Sequence, residues 1–136
     1  MTSRIGSITF DCVAWEPLVE FWSAALGFIE DPDDPNRPGD PAGLITSPTR
    51  DVNMLFIPVP EAKTVKNRVH IDLVPVDRTR EDEVDRLLAL GASFSADFRK
   101  PDGTGFVVLT DPEGNELCIE QSEAERSASR ETARTE

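Results

Sequence analysis

The strongest constraint in this chain is an internal repeat. Each half runs from an alternating strand into a helix closed by Leu-Gly, and then into further strands. Ser7 and His70 are 63 residues apart, and the two closing glycines, Gly27 and Gly91, are 64 apart. In that register SITFDC lies over HIDLVP with polar and apolar positions matched. Alternation places Ile8, Phe10 and Cys12 on one face of the first strand and Ser7, Thr9 and Asp11 on the other. A single module of one helix and four strands cannot cover both faces of its sheet. Two such modules side by side predict an α+β fold: two βαβββ modules forming one curved mixed sheet around a concave pocket, with helices on the outer face. With 136 residues the chain suits one domain. That domain is expected over residues 1–122, with modules at about 4–60 and 67–122, followed by a disordered polar tail over 123–136.

Within the modules, LVEFWSAALG carries Leu18, Phe21, Trp22, Ala25 and Leu26 at helical spacing. EDEVDRLLALG repeats the pattern with Val84, Leu87, Leu88 and Leu90. Glu30 to Pro41, dense in Asp and Pro, reads as a loop or a hairpin with poorly paired edges. VNMLFIPV, from Val52 to Val59, is nearly all apolar and predicts a strand covered on both faces. RVHIDLV predicts a strand carrying Arg68, His70 and Asp72 on one face. DPEG, from Asp111 to Gly114, predicts a turn into a last strand over Glu116 to Gln121.

Composition narrows the function. Fourteen Lys and Arg face twenty-six Asp and Glu, giving a net charge of −12 that opposes nucleic-acid binding. No run approaches the roughly 20 apolar residues of a membrane span, and MTSRIGSITF lacks the layout of a signal peptide. No membrane association and a cytoplasmic location are therefore expected. Cys12 and Cys118 are too few for a disulfide framework. P-loop, dinucleotide and nucleophile-elbow signatures are missing.

Together, ITFDC, EFWSAALG, VPEAKTVKNRVHIDL and LTDPEGNELCI resemble the vicinal oxygen chelate superfamily, and in particular its glyoxalase-like domains. The superfamily includes glyoxalases, bleomycin-resistance proteins and extradiol dioxygenases. The resemblance implies a cavity for a small molecule and a homodimer. Metal-dependent members hold a divalent ion with one side chain on the first and one on the last strand of each module. Carried over to this chain, His70 matches one position, Ser7 stands at its counterpart, and Cys118 stands where a Glu would bind. Met54, Leu55, Phe56 and Ile57 offer only apolar side chains at the remaining one. The ligand count therefore predicts no metal and no other cofactor.

The resulting expectation is a metal-independent protein that binds a small planar or aromatic molecule. The alternative is a lyase or isomerase with His70 as general acid/base, assisted by Asp72, Asp11 or Cys118. Candidate catalytic residues are His70, Asp72 and Cys118. Candidate ligand contacts are Ser7, Thr9, Asp11, Trp22, Phe56, Ile57, Arg68 and Glu120. Lys63, Lys66 and Arg68 form a basic run before His70 that either steers an anionic ligand or neutralises acidic loops.

Overall fold

The computed structural model describes residues 1–135. The chain divides into two compact units, Met1–Thr64 and a second beginning at Val65.

In the first unit, β1 (Ser7–Cys12) leads into α1 (Trp15–Leu26), followed by β2 (Gly43–Thr46) and β3 (Asn53–Pro58). The sheet order is β1-β3-β2, with β1 parallel and β2 antiparallel to β3. Leu18, Phe21, Trp22 and Ala25 fall at positions i, i+3, i+4 and i+7, so α1 buries one stripe. Gly27 ends the helix at φ 68°, a left-handed conformation that glycine adopts without a Cβ penalty. The core of this unit is aromatic. Phe10 meets Trp22 at 5.6 Å and Phe56 at 5.4 Å, and Phe21 meets Trp22 at 5.3 Å, all edge to face.

The second unit repeats the plan with β4 (Ile71–Leu73), α2 (Arg80–Ala89), β5 (Ser93–Asp97), β6 (Phe106–Thr110), β7 (Glu116–Glu120) and α3 (Glu123–Thr135). Its sheet order is β4-β7-β6-β5, and β4 is parallel to β7. In both units the first strand therefore runs parallel to the last. The register is the same: Ser7 pairs with Asn53 and Ile71 with Leu117, each 46 residues on. Leu73, Leu117, Ile119, Val107 and Leu109 are buried together with Val84 and Leu87 of α2.

Several expectations need correcting. The strands do not form one curved mixed sheet around a concave pocket; they form two separate sheets, neither closed nor strongly curled. Curl accumulates from strand-to-strand twist, and open sheets of three and four strands are too narrow to build much of it. The βαβββ-like plan of the two modules holds, but among the described residues the first has no full fourth strand. Where one would lie, only the single bridges Ile29–Thr46 and Asp31–Asp34 form. The prolines between Glu30 and Pro41 remove ladder donors there. β3 is not covered on both faces: Met54 and Phe56 are buried, while Leu55 is half-buried and Ile57 exposed.

His70 lies just before β4 rather than within a strand. The tail expected to be disordered forms α3. Its start has a reciprocal cap: Ser122 Oγ accepts from Glu125 N at 3.2 Å, and Glu125 Oε2 accepts from Ser122 N at 2.8 Å. Among the described residues, no helix is long and apolar enough to cross a membrane.

Candidate metal centre

Parallel pairing of β4 with β7 places Asp72 directly opposite Cys118. His70, two residues before Asp72, directs its ring toward both. His70 Nδ1 lies 3.2 Å from Asp72 Oδ1 and 3.7 Å from Cys118 Sγ. All three donor atoms fall within 4.8 Å of one another. Side-chain exposure is 39% for His70 and 50% for Asp72, whereas Cys118 is buried, so the cluster has a buried floor and an open side.

Local sequence explains why this half builds it. Alternation along HID sends His70 and Asp72 to the side opposite Ile71. In β7, Leu117 and Ile119 are buried at 0% exposure and point to the core, leaving Glu116, Cys118 and Glu120 on the other face. The turn before β7 is rigid. Buried Asp111 accepts from Glu113 N at 2.9 Å, Asn115 N at 3.0 Å and Asn115 Nδ2 at 2.8 Å. The DPEGN motif thus fixes where β7 begins.

The cluster's chemistry fits a divalent cation. Imidazole nitrogen, carboxylate oxygen and thiolate sulfur are all donors for the borderline ions, with zinc the commonest. Bond lengths of about 2.0 to 2.3 Å around a tetrahedral ion imply donor-to-donor separations of about 3.3 to 3.6 Å. The distances of 3.2 Å and 3.7 Å lie close to that range. Burial, then the charge of Asp72 and a hydrogen bond to it, push the Cys118 thiol up to about 11, while Lys66 pulls it down. A thiol held this high is not a free nucleophile at neutral pH, which counts against a Cys118–His70 nucleophilic pair. A cation at the same place reverses the electrostatics, because a coordinating thiol is deprotonated.

The other candidate residues divide between the two units. Trp22 and Phe56 are fully buried in the aromatic core of the first unit, where their contacts are with Phe10 and Phe21. Ser7, Thr9 and Asp11 are exposed along one face of β1, opposite Asn53, Leu55 and Ile57. Arg68 is exposed, two residues before His70. Glu120 Oε2 accepts from Arg126 Nη2 at 3.1 Å, tying β7 to α3. A cavity of about 650 Å³ elsewhere in the second unit is lined by Val74 to Thr79, Asp82 and Ser122 to Glu125; none of the three donors lines it.

Sequence reasoning gave Asn67 only a place in the crossover between the modules; it donates its backbone N–H to Glu116 Oε2 and its side-chain N–H to Asn115 Oδ1, both at 3.0 Å. The same reasoning passed over Phe98 and Phe106, partly exposed with ring centroids 5.0 Å apart. The pair was legible as two phenylalanines flanking the glycine turn in FRKPDGTGF.

A model of the glyoxalase-like domain matches residues 7–120. The chain belongs to that family. It is part of the glyoxalase/bleomycin-resistance, or vicinal oxygen chelate, superfamily. No curated protein matches the sequence.

Solved structures of the same fold are numerous. A mutant of the fosfomycin resistance protein FosX from Listeria monocytogenes, in complex with Mn(II) and 1S,2S-dihydroxypropylphosphonic acid, aligns with a TM-score of 0.67 at 13% identity; the match covers 96% of this chain and 99% of that one. FosX from Mesorhizobium loti aligns at 0.63 and 14% identity, covering 94% and 99%. A glyoxalase/bleomycin resistance protein/dioxygenase family enzyme from Burkholderia phytofirmans aligns at 0.63 and 17%, covering 86% and 97%.

The expectation of a metal-independent protein is therefore overturned. Counting only the family's four positions left His70 and Cys118 short of a set, but Asp72, at none of those positions, supplies a third donor. The manganese complex of FosX shows that a related fold accommodates such an ion. At that identity the likeness speaks for the fold, so the donors of this chain carry the argument.

Proposed function

We propose that this glyoxalase-like chain binds a divalent cation through His70, Asp72 and Cys118, and thereby holds a small organic ligand by its oxygen atoms. The convergence of three unlike donors within 4.8 Å on adjoining segments carries this reading. When bound, such an ion supplies Lewis-acid polarisation of a ligand oxygen. In the metal-free chain the contact of Asp72 Oδ1 with His70 Nδ1 at 3.2 Å orients the ring; with an ion bound both atoms would serve as its ligands, and Cys118 would contribute the soft donor from the buried side. With the thiol in the set, zinc or cobalt fits better than an ion that demands only oxygen ligands. The open side of the cluster, where His70 and Asp72 are exposed, is where a ligand has access. Two free cysteines suit a reducing, cytoplasmic setting, and the family resemblance suits a homodimer, which light scattering checks.

The test is metal analysis of untagged protein purified without chelator, followed by titration with zinc, manganese and cobalt(II). One equivalent per chain is expected, with a sulfur-to-cobalt absorption band that Cys118→Ala removes. A wild-type protein that takes up none of the three ions at millimolar concentration overturns the proposal.

A further inference from the structure

We infer that Asn67 is a positioning residue: it latches the segment carrying His70 onto the DPEGN turn and so preorganises the His70–Asp72–Cys118 cluster. The inference rests on the metal-binding reading for its functional meaning, but its structural basis is separate.

His70 needs such a device. Residues 60–70 form no strand or helix, and ladder pairing starts only at Ile71. The ring is 39% exposed at the side chain, so packing alone holds it weakly. Three residues upstream, however, the chain is tied twice. Asn67 N donates to Glu116 Oε2 and Asn67 Nδ2 donates to Asn115 Oδ1, each at 3.0 Å. Only Arg68, Val69 and His70 span the gap from this tie to the first ladder residue.

The post at the other end is firm. Asn115 is 8% exposed and Asp111 2% exposed. Asn115 Oδ1 accepts from Asn67 Nδ2, and Asn115 Nδ2 in turn donates to Asp111 Oδ2 at 2.8 Å. Each amide thus donates in one direction along a chain that ends on a buried carboxylate, an arrangement in which successive bonds polarise one another. Asn115 also directly precedes β7, the strand that presents Cys118. One turn therefore sets the position of Cys118 through β7 and the position of His70 through Asn67. Rotamer freedom at His70 is the freedom a cation must otherwise remove on binding, so the latch acts on affinity.

The experiment compares wild type with Asn67→Ala and Asn67→Gln. In metal-free protein, backbone relaxation measures the order parameter of the His70 amide. It is expected near about 0.85 in wild type and below about 0.6 in Asn67→Ala, with β6 and β7 unchanged. The dissociation constant for zinc should rise about tenfold in Asn67→Ala, and Asn67→Gln, which keeps the donor, should recover part of both effects. An Asn67→Ala protein whose His70 amide stays ordered, or whose zinc affinity equals that of wild type, overturns the positioning role. A wild type that binds no metal sinks the proposed function instead, and the order parameter alone then decides whether the latch exists.

Discussion

The two units are copies of one plan that diverged in what their exposed sheet faces carry. Both pair their first strand parallel to their last with a 46-residue register. A 63-residue offset superposes Ser7 on His70, Thr9 on Asp72 and Leu55 on Cys118. Three donors in the second unit thus have two hydroxyls and a leucine as counterparts in the first. The core faces diverge the other way. The first unit packs Phe10, Phe21, Trp22 and Phe56 edge to face, and the second uses aliphatic Leu73, Leu117, Ile119 and Leu87. The scaffold fixes which positions face together, and side-chain chemistry at three of them decides whether a cation has a seat.

That comparison can be broken by exchange. Ser7→His, Thr9→Asp and Leu55→Cys combined place the donor set on the matching register of β1 and β3. A second metal equivalent is expected, because the pairing opposite Thr9 is Leu55 as the pairing opposite Asp72 is Cys118. Conversely, Cys118→Leu should weaken metal binding by more than about 100-fold, beyond the range for losing a merely supporting contact. Calorimetric titration of both variants checks this. If the triple variant folds but binds only one equivalent, register alone does not make a site. The pre-β4 segment, tied by Asn67, then becomes the missing ingredient.

Much of this architecture was legible in the sequence. The repeat, the helices closed near Gly27 and Gly91, and the DPEG turn all follow from local chemistry, since glycine and a turn aspartate act within a few residues. The three residues of the candidate site were all named from the sequence, but as catalytic groups rather than as a donor set. His70 and Cys118 also stand at family ligand positions, whereas the sequence offered no metal role for Asp72. Only the strand register puts it across from Cys118. Pairing register depends on contacts 46 residues apart, which no short motif encodes. The apolar run Val52 to Val59 misled for a related reason: apolarity cannot reveal that Leu55 and Ile57 remain partly exposed. α3 was signalled by Ser122 and Glu125, a capping pair overlooked beneath a polar, aromatic-free composition.

The helices sharpen the comparison at a smaller scale. Thr79 caps α2, its hydroxyl accepting from Asp82 N at 3.1 Å, and Glu81, Asp82 and Glu83 occupy the first turn. At the equivalent place α1 has Ala14, with no side-chain cap bond. Thr79→Ala should cost about 1 kcal/mol, and Ala14→Asp should gain a comparable amount. Urea denaturation measures both. A stabilising Thr79→Ala, or an Ala14→Asp that lowers the midpoint, would show that tertiary packing rather than capping sets these helix starts.

The smallest effect separates the units by acid. In the second unit Arg99 donates from Nη2 to Asp97 Oδ2 at 2.8 Å and from Nε to Asp97 Oδ1 at 2.9 Å. These bonds, with the Arg99 backbone N–H, hold the Asp97 carboxyl down to about 2. Since its folded value lies below the unfolded value of about 3.9, the native state favours the ionised form. The contribution is present in full above about pH 4 and is lost as pH falls toward 2. Both partners are solvent-exposed enough for salt to screen the pair, so the effect is small. Asp97→Asn should leave the melting temperature nearly unchanged below pH 2 and lower it slightly at pH 6, flattening the acid limb between. An acid limb identical in wild type and Asp97→Asn would assign the pH dependence to other carboxylates of this strongly acidic chain.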